Sequence, residues 1–106
     1  MAETPGPEVV ELYKNLMKEE FQEFLDAKGA ADELDACMDL IWVTLGYCIA
    51  RGFGVVGAWD EVTRSNFDKL QIDQTTGKIK RREDGKILKP DDWKEPDFTP
   101  FLYGEK

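Results

Sequence analysis

The chain has 106 residues, the length of one small domain, and its 22 acidic and 14 basic residues give a formal net charge of −8. This acidic balance argues against a general nucleic-acid binder and against a protein of membrane surfaces. The sequence contains no histidine, which excludes Ser/His and Cys/His catalysis and His-ligated zinc. Any bound metal would therefore be a hard cation held by oxygen, such as Mg²⁺ or Mn²⁺.

The two cysteines and the apolar runs predict a cytoplasmic protein. Cys37 and Cys48 lie on one predicted helix, about 16 Å apart by helical rise, which is too far for a disulfide bond. Free thiols suit a reducing compartment. The N-terminal residues do not resemble a signal peptide, and the longest apolar run, residues 40–43, is too short to cross a bilayer.

The first predicted helix follows a lead-in at residues 1–6, which we expect to be flexible. Thr4 and Gly6 are candidate caps, and Pro7 suits the first helical position. Apolar side chains then recur at helical spacing as far as about Ala27, and the glycine at position 29 ends the helix.

Two further helices are predicted at about residues 31–51 and 56–70, separated by a glycine-rich break. The three helices of one small chain cannot bury all of their apolar stripes against one another. We therefore predict an all-α helical bundle that is completed by assembly into a homodimer or a homotetramer.

The character of the sequence changes in the last third, residues 71–106. Turn sequences at 73–78 and 83–86 border short extended segments at 78–82 and 86–89, which predicts a small β-ribbon. The tail that follows mixes prolines with aromatic residues, and we expect it to pack as an irregular strap on a helix or on a neighbouring subunit.

Four carboxylates interrupt the apolar faces of the first two helices. At about 100° per residue, Glu20 and Glu23 fall within the apolar stripe of the first helix, and Glu19 lies at its edge. On the second helix Asp35 and Asp39, at positions i and i+4, flank the apolar seam. Because the linking turn is short, a helical hairpin would bring both pairs together, and charges so close need a cation between them.

This arrangement has two interpretations. A cation site built from a few carboxylates keeps positions for water and phosphate, which suits phosphoanhydride hydrolysis. The alternative is a non-catalytic helical interaction module with a solvated acidic face, in which Lys14 and Lys18 pair with the acids. Asp32 and Glu33 suit the first turn of the second helix, where acids are favoured, although Asp32 is also a candidate ligand.

The order of these motifs resembles a known family. A Glu-Glu-x-x-Glu motif at residues 19–23, followed by an acidic pair ending in Asp39 and Leu-Ile-Trp-Val, is similar to the all-α nucleotide pyrophosphohydrolases, the MazG-like and phosphoribosyl-ATP-pyrophosphohydrolase-like proteins. Residues 61–70 and 82–89 extend the likeness to a small single-domain branch common in phage genomes. The resemblance implies metal-dependent cleavage of ribo- or deoxyribonucleoside triphosphates between the α and β phosphates, in the host cytoplasm if the protein is phage-encoded.

The resemblance also implies a role for each acid. Glu19 and Glu20 are the implied catalytic pair, with Glu19 orienting water or a second metal. The family's second motif would place an acid at position 36, which is Ala36 here, and Asp35 lies one residue earlier. Whether Asp35 or Asp32 completes the ligand set therefore stays open. The predicted metal ligands are Glu20, Glu23, Asp35 and Asp39.

Basic residues crowd the predicted ribbon, where six of the 14 lie within residues 78–89. They either solubilise an exposed edge or close over a triphosphate, in which case Lys86 and Lys89 are the contacts we expect. The resemblance adds Asn66 and Lys69 as phosphate-binding residues. The patch is too small, and too poor in interleaved aromatics, for a nucleic-acid site. Trp42, close to the second acidic pair, is a core or interface residue or stacks on the nucleotide base.

Overall fold

A computed structural model describes residues 6–103 and places them in three α-helices, with one 3-10 turn at Thr99–Phe101. The helices are α1 (Pro7–Asp26), α2 (Ala30–Ala50) and α3 (Val55–Phe67). No strand is present among these residues, so the predicted all-α class is confirmed. None of the described helices combines the length and the apolar character that a membrane crossing requires.

The helix bounds follow the predictions closely at all ends but one. Pro7 is the first residue of α1 and Gly6 is its cap, whereas Thr4 lies outside the described residues. The predicted third helix extends to Leu70, but α3 ends at Phe67. The N–H groups of Lys69 and Leu70 bond carbonyls three residues back instead of four, which is a tighter turn than an α-helix.

A short turn joins α1 and α2 into a hairpin. Gly29, the residue before α2, has φ +86° and ψ 164°, a backbone region open only to glycine. Small residues on α2 let the helices approach, since Ala36 is buried and Gly46 lies against the ring of Tyr13. The rings of Tyr13 and Tyr47 also meet across the hairpin, with centroids 5.6 Å apart. The hairpin is the scaffold on which the predicted acids are displayed.

The C-terminal segment is fastened along α3 by main-chain groups. The N–H of Gly54, at the corner between α2 and α3, donates to the carbonyl of Phe101 (2.8 Å). The N–H of Asp97 donates to the carboxylate of Glu61 (2.7 Å). This segment is the irregular strap that the sequence predicts, and it lies on a helix of its own chain.

The predicted β-ribbon is reduced to two isolated antiparallel bridges, Ile72–Ile79 and Arg81–Ile87. Its turns are built as expected, with Gly77 and Gly85 at positive φ. The backbone pairing is too short to form strands, although main-chain hydrogen bonds cross the segment, from the N–H of Lys80 to the carbonyl of Gln71 (2.8 Å) and from the N–H of Leu88 to the carbonyl of Lys80 (3.0 Å).

The chain has almost no interior of its own. Ala36 is the one buried apolar side chain among the described residues, whereas 19 large hydrophobic side chains are exposed. The radius of gyration is 17.6 Å, against about 13 Å for a compact domain of this length. Helix α3 meets α2 near their corner, and in the described part of the chain it does not contact α1. The described part of the molecule is therefore open and extended.

Candidate active site

Three carboxylates converge across the hairpin. Glu20 and Glu23 lie three residues apart on one face of α1, and Asp39 faces them from α2, so that one oxygen of each lies within 4.8 Å of the others. Glu20 is half-buried, while Glu23 and Asp39 are exposed. This trio is part of the predicted ligand set, and its members come from both helices as the hairpin argument requires.

The trio is electrostatically strained. The pKa of Glu20 is raised from its ordinary 4.5 to about 6. The main cause is a hydrogen bond with the carboxyl of Glu23, which requires one of the two groups to hold a proton. Partial burial and the negative charges of Glu23, Asp39 and Glu19 add to the rise. A positive charge at this point would remove the cause of the shift.

The donor set fits a hard divalent cation. Oε2 of Glu20 is inaccessible to solvent and has no hydrogen-bond partner in the structure, so no donor compensates its charge when Glu20 is ionised. Lys14 and Lys18, the partners expected for a solvated acidic face, form no ion pair in the described chain. Carboxylate oxygens at this spacing are the ligands that Mg²⁺ and Mn²⁺ prefer.

The remaining predicted acids lie around the trio. A cavity of about 360 Å³ opens beside it, and both Asp35 and Asp32 border this cavity without joining the three convergent oxygens. Glu19 is exposed and acts on Glu20 through its charge. The cavity is lined by Glu23, Asp26, Ala27, Asp32, Asp35, Ala36 and Asp39.

Two of these lining residues add to the sequence prediction. Asp26 was not predicted, although it lies three residues after Glu23, and helical spacing places the two on one face. Ala36, where the family pattern has an acid, is buried at the wall of the cavity. The cavity therefore lacks the carboxylate that the family pattern places at position 36, and the acids of α2 that line it are Asp32, Asp35 and Asp39.

A second cavity, of about 550 Å³, lies at the far end of α3 and is basic. It gathers all four predicted phosphate-binding residues and adds Arg82. Arg82 pairs with Asp84 (3.0 Å), whereas the three lysines have no acidic partner among the described residues. The lining is Asn66, Phe67, Lys69, Leu70, Arg82, Lys86, Ile87 and Lys89.

The two cavities are separate within one chain. They share no lining residue, and neither α1 nor α2 contributes to the basic one. Trp42, the predicted base contact, stands one turn after Asp39 with 79% of its surface exposed and lines neither cavity. The single chain therefore does not bring its acidic and basic groups together.

Comparison with known proteins agrees with the family resemblance that the sequence motifs indicate. Residues 3–66, which span α1, α2 and most of α3, match the family model of phosphoribosyl-ATP pyrophosphohydrolase. The match includes the whole acidic cluster and stops at Asn66, before the lysines of the basic cavity. No curated protein matches the chain significantly.

Proposed function

Because the chain belongs to the phosphoribosyl-ATP pyrophosphohydrolase family, which places it among nucleotide pyrophosphohydrolases, we propose that it hydrolyses ribo- or deoxyribonucleoside triphosphates with Mg²⁺ or Mn²⁺. The bond cleaved is the one between the α and β phosphates, and the products are the monophosphate and pyrophosphate. The observation that carries the proposal is the convergence of three carboxylate oxygens within 4.8 Å, contributed by two helices of the matched region.

The acids divide the work by position. Glu20, Glu23 and Asp39 would hold the cation, and Asp35 or Asp32 would complete the ligand set from the adjoining cavity. Glu19, exposed beside Glu20, orients the attacking water and accepts its proton. A cation held there would offset the charge of the phosphates and make the attacking water more acidic.

The phosphates of the substrate are bound by the basic cavity. Its three lysines lack acidic partners in the described chain, so their charge is available to an anion. Asn66 contributes an amide at the point where α3 ends. Trp42, which remains exposed near Asp39, is proposed to stack on the base.

Assembly of identical chains is part of the same proposal. An apolar groove of about 550 Å³ between α2, α3 and the C-terminal segment includes Trp59, which is 68% exposed. A homodimer or homotetramer would cover such surfaces. Since α3 does not contact α1 in the described chain, we propose that the basic cavity of one copy serves the acidic cluster of a neighbour.

A nucleotide panel with product analysis tests the activity. The eight common nucleoside triphosphates and phosphoribosyl-ATP are incubated with Mn²⁺ or with EDTA, and we expect pyrophosphate, not orthophosphate, from at least one triphosphate. Glu23→Ala should lower the rate by roughly two orders of magnitude or more. Hydrolysis of phosphoribosyl-ATP alone would contradict the proposed substrate class, and full activity of Glu23→Ala would contradict the site.

The rival function, a non-catalytic helical module, is separated by thermal unfolding. For a true cation site, metal at about 100 times its Kd stabilises the fold by about 2.7 kcal/mol. We therefore expect the melting temperature to rise with Mn²⁺ plus nucleotide and to return with EDTA. A melting temperature that changes neither with Mn²⁺ plus nucleotide nor with EDTA favours the non-catalytic module.

A further inference from the structure

The ring of Trp93 is in contact with two lysines of the basic cavity. The Nζ of Lys69 is 5.1 Å from the centroid of its ring, and the Nζ of Lys89 is 4.7 Å from it. Both distances are within cation–π range. Lys69 precedes the ribbon segment and Lys89 follows it. The two lysines are therefore far apart in the sequence but share one aromatic partner.

The ring itself is fixed to α3. Its indole N–H donates to the main-chain carbonyl of Ser65 (2.7 Å), and Ser65 is 2% exposed. The hydroxyl of Ser65 in turn donates to the carbonyl of Val62 (2.9 Å). Trp93 is therefore anchored at the most buried point of α3, and it presents an aromatic surface at a defined place.

Holding two ammonium groups at one place has a cost that this ring offsets. Lysine side chains are flexible, and like charges repel, so both would otherwise spread into solvent. Attraction to the electron-rich ring lowers the free energy of the gathered arrangement. Neither lysine forms an ion pair among the described residues, so the gathered charge is left for an external anion.

We propose that Trp93 is a positioning residue, which holds Lys69 and Lys89 together as a preformed binding site for the polyphosphate chain of a nucleotide. The inference deepens the proposed function and rests on it. Trp93, Lys69 and Lys89 all lie beyond residues 3–66, so the family match does not assign this device.

Inorganic tripolyphosphate, titrated calorimetrically into the full chain in EDTA, probes the site without turnover. Trp93→Leu, which removes both the ring and the indole N–H, should weaken binding about five- to tenfold. Trp93→Phe, which keeps a ring, should lose less. Lys89→Ala should also weaken binding, and Lys94→Ala is its matched control, because Lys94 is exposed and does not line the cavity.

A second measurement covers the case in which Trp93→Leu unfolds the tail. In a Trp42→Phe/Trp59→Phe background Trp93 is the sole tryptophan, and tripolyphosphate should change its emission because the anion binds to the two ammonium groups that contact the ring. Unchanged emission, or equal binding by wild type and Trp93→Leu, would overturn the inference.

Nucleotide kinetics separate this inference from the proposed function. With a hydrolysed triphosphate, Trp93→Leu should raise KM and leave kcat nearly unchanged, since positioning acts on binding. If the wild type hydrolyses the nucleotide and Trp93→Leu has the same KM, the inference about Trp93 is wrong and the proposed function stands. No hydrolysis of any nucleotide, with tripolyphosphate binding still dependent on Trp93, defeats the proposed function alone.

Discussion

Glu20 is the residue of the acidic cluster whose ionisation its neighbouring carboxylates oppose. Its pKa is about 6 in the folded chain against an ordinary 4.5, chiefly because it shares a hydrogen bond with Glu23. Between these pH values the folded state holds a proton that the unfolded state has released, so raising the pH destabilises the fold. The resulting loss of folding stability is complete above about pH 6 and absent below about pH 4.5.

This sign gives a prediction for the metal-free protein. In EDTA, the melting temperature should contain a component that falls between pH 4.5 and about 6, and Glu20→Gln, which cannot ionise, should lack it. Saturating Mg²⁺ should remove the same component, because the cation replaces the proton. Identical pH profiles for the wild type and Glu20→Gln would contradict the assignment.

Asp35 and Asp32 compete for the last place in the metal shell, and their positions differ. Asp35 lies one turn before Asp39 on the same face of α2. Asp32 is in the first turn of α2, where its charge favours the positive end of the helix. We therefore expect Asp35→Asn to weaken Mn²⁺ binding about tenfold, and Asp32→Asn to act mainly on stability.

Calorimetric titration with Mn²⁺, followed by thermal unfolding in EDTA, checks this pair. Glu33→Gln is the matched control, since Glu33 shares the first turn of α2 but does not line the acidic cavity. A larger loss of Mn²⁺ affinity in Asp32→Asn than in Asp35→Asn would reverse the assignment.

At the scale of elements, the sequence predicts the features that depend on neighbouring residues, namely the helix faces and the turn that joins α1 to α2. Helical periodicity fixes which residues of α1 and α2 share a face, and a short turn fixes that the faces meet, so the meeting of Glu20, Glu23 and Asp39 follows from both. The offset between the two helices is not local. An ideal wheel therefore groups Asp35 with Asp39 but cannot tell a convergent oxygen from one that only borders the cavity.

The C-terminal segment shows the opposite case. Its turns follow from glycine and aspartate, yet the path of its tail depends on contacts between residues that are far apart in the sequence. The contact of Trp93 with Ser65 spans 28 residues, and no periodic pattern encodes it. Lys89 belongs to a charged run that the sequence shows, while the ring that it shares with Lys69 depends on the path of the tail.

Gly29 sets the geometry of the hairpin and gives a test at this scale. Its φ of +86° and ψ of 164° strain any other residue, by about 1–3 kcal/mol, although an added Cβ meets no atom within 4 Å. Gly29→Ala should therefore lower stability in urea and also weaken Mn²⁺ binding, because the turn must shift and the acids with it.

Gly77→Ala is the control for this substitution. Gly77 also has positive φ (72°) and open space around it, but it lies in the ribbon segment. We expect it to lower stability without changing Mn²⁺ affinity. Equal metal affinity in both variants and the wild type would mean that the turn does not position the acids.

The whole molecule is extended, with a buried apolar interior reduced to Ala36 in the described chain and 19 large hydrophobic side chains exposed. A domain that buries so little of its apolar surface lacks the main driving force for folding. Copies that bury one another's apolar grooves would supply it. Light scattering should therefore give a mass of at least two chains, and Trp59→Glu, in the groove, should lower it where the neighbouring Asp60→Lys does not.

Assembly also predicts how the two halves of the site cooperate. If the basic cavity of one copy serves the acidic cluster of another, Glu23→Ala and Lys69→Ala/Lys89→Ala are each inactive alone but complement each other when mixed. In a randomly exchanged dimer, half of the molecules are mixed, and each mixed molecule has one intact site, which restores about a quarter of the wild-type activity. Pyrophosphate release after denaturation and refolding of the mixture measures this. If both halves instead acted within one chain, every chain in the mixture would keep a defect, and no activity would return.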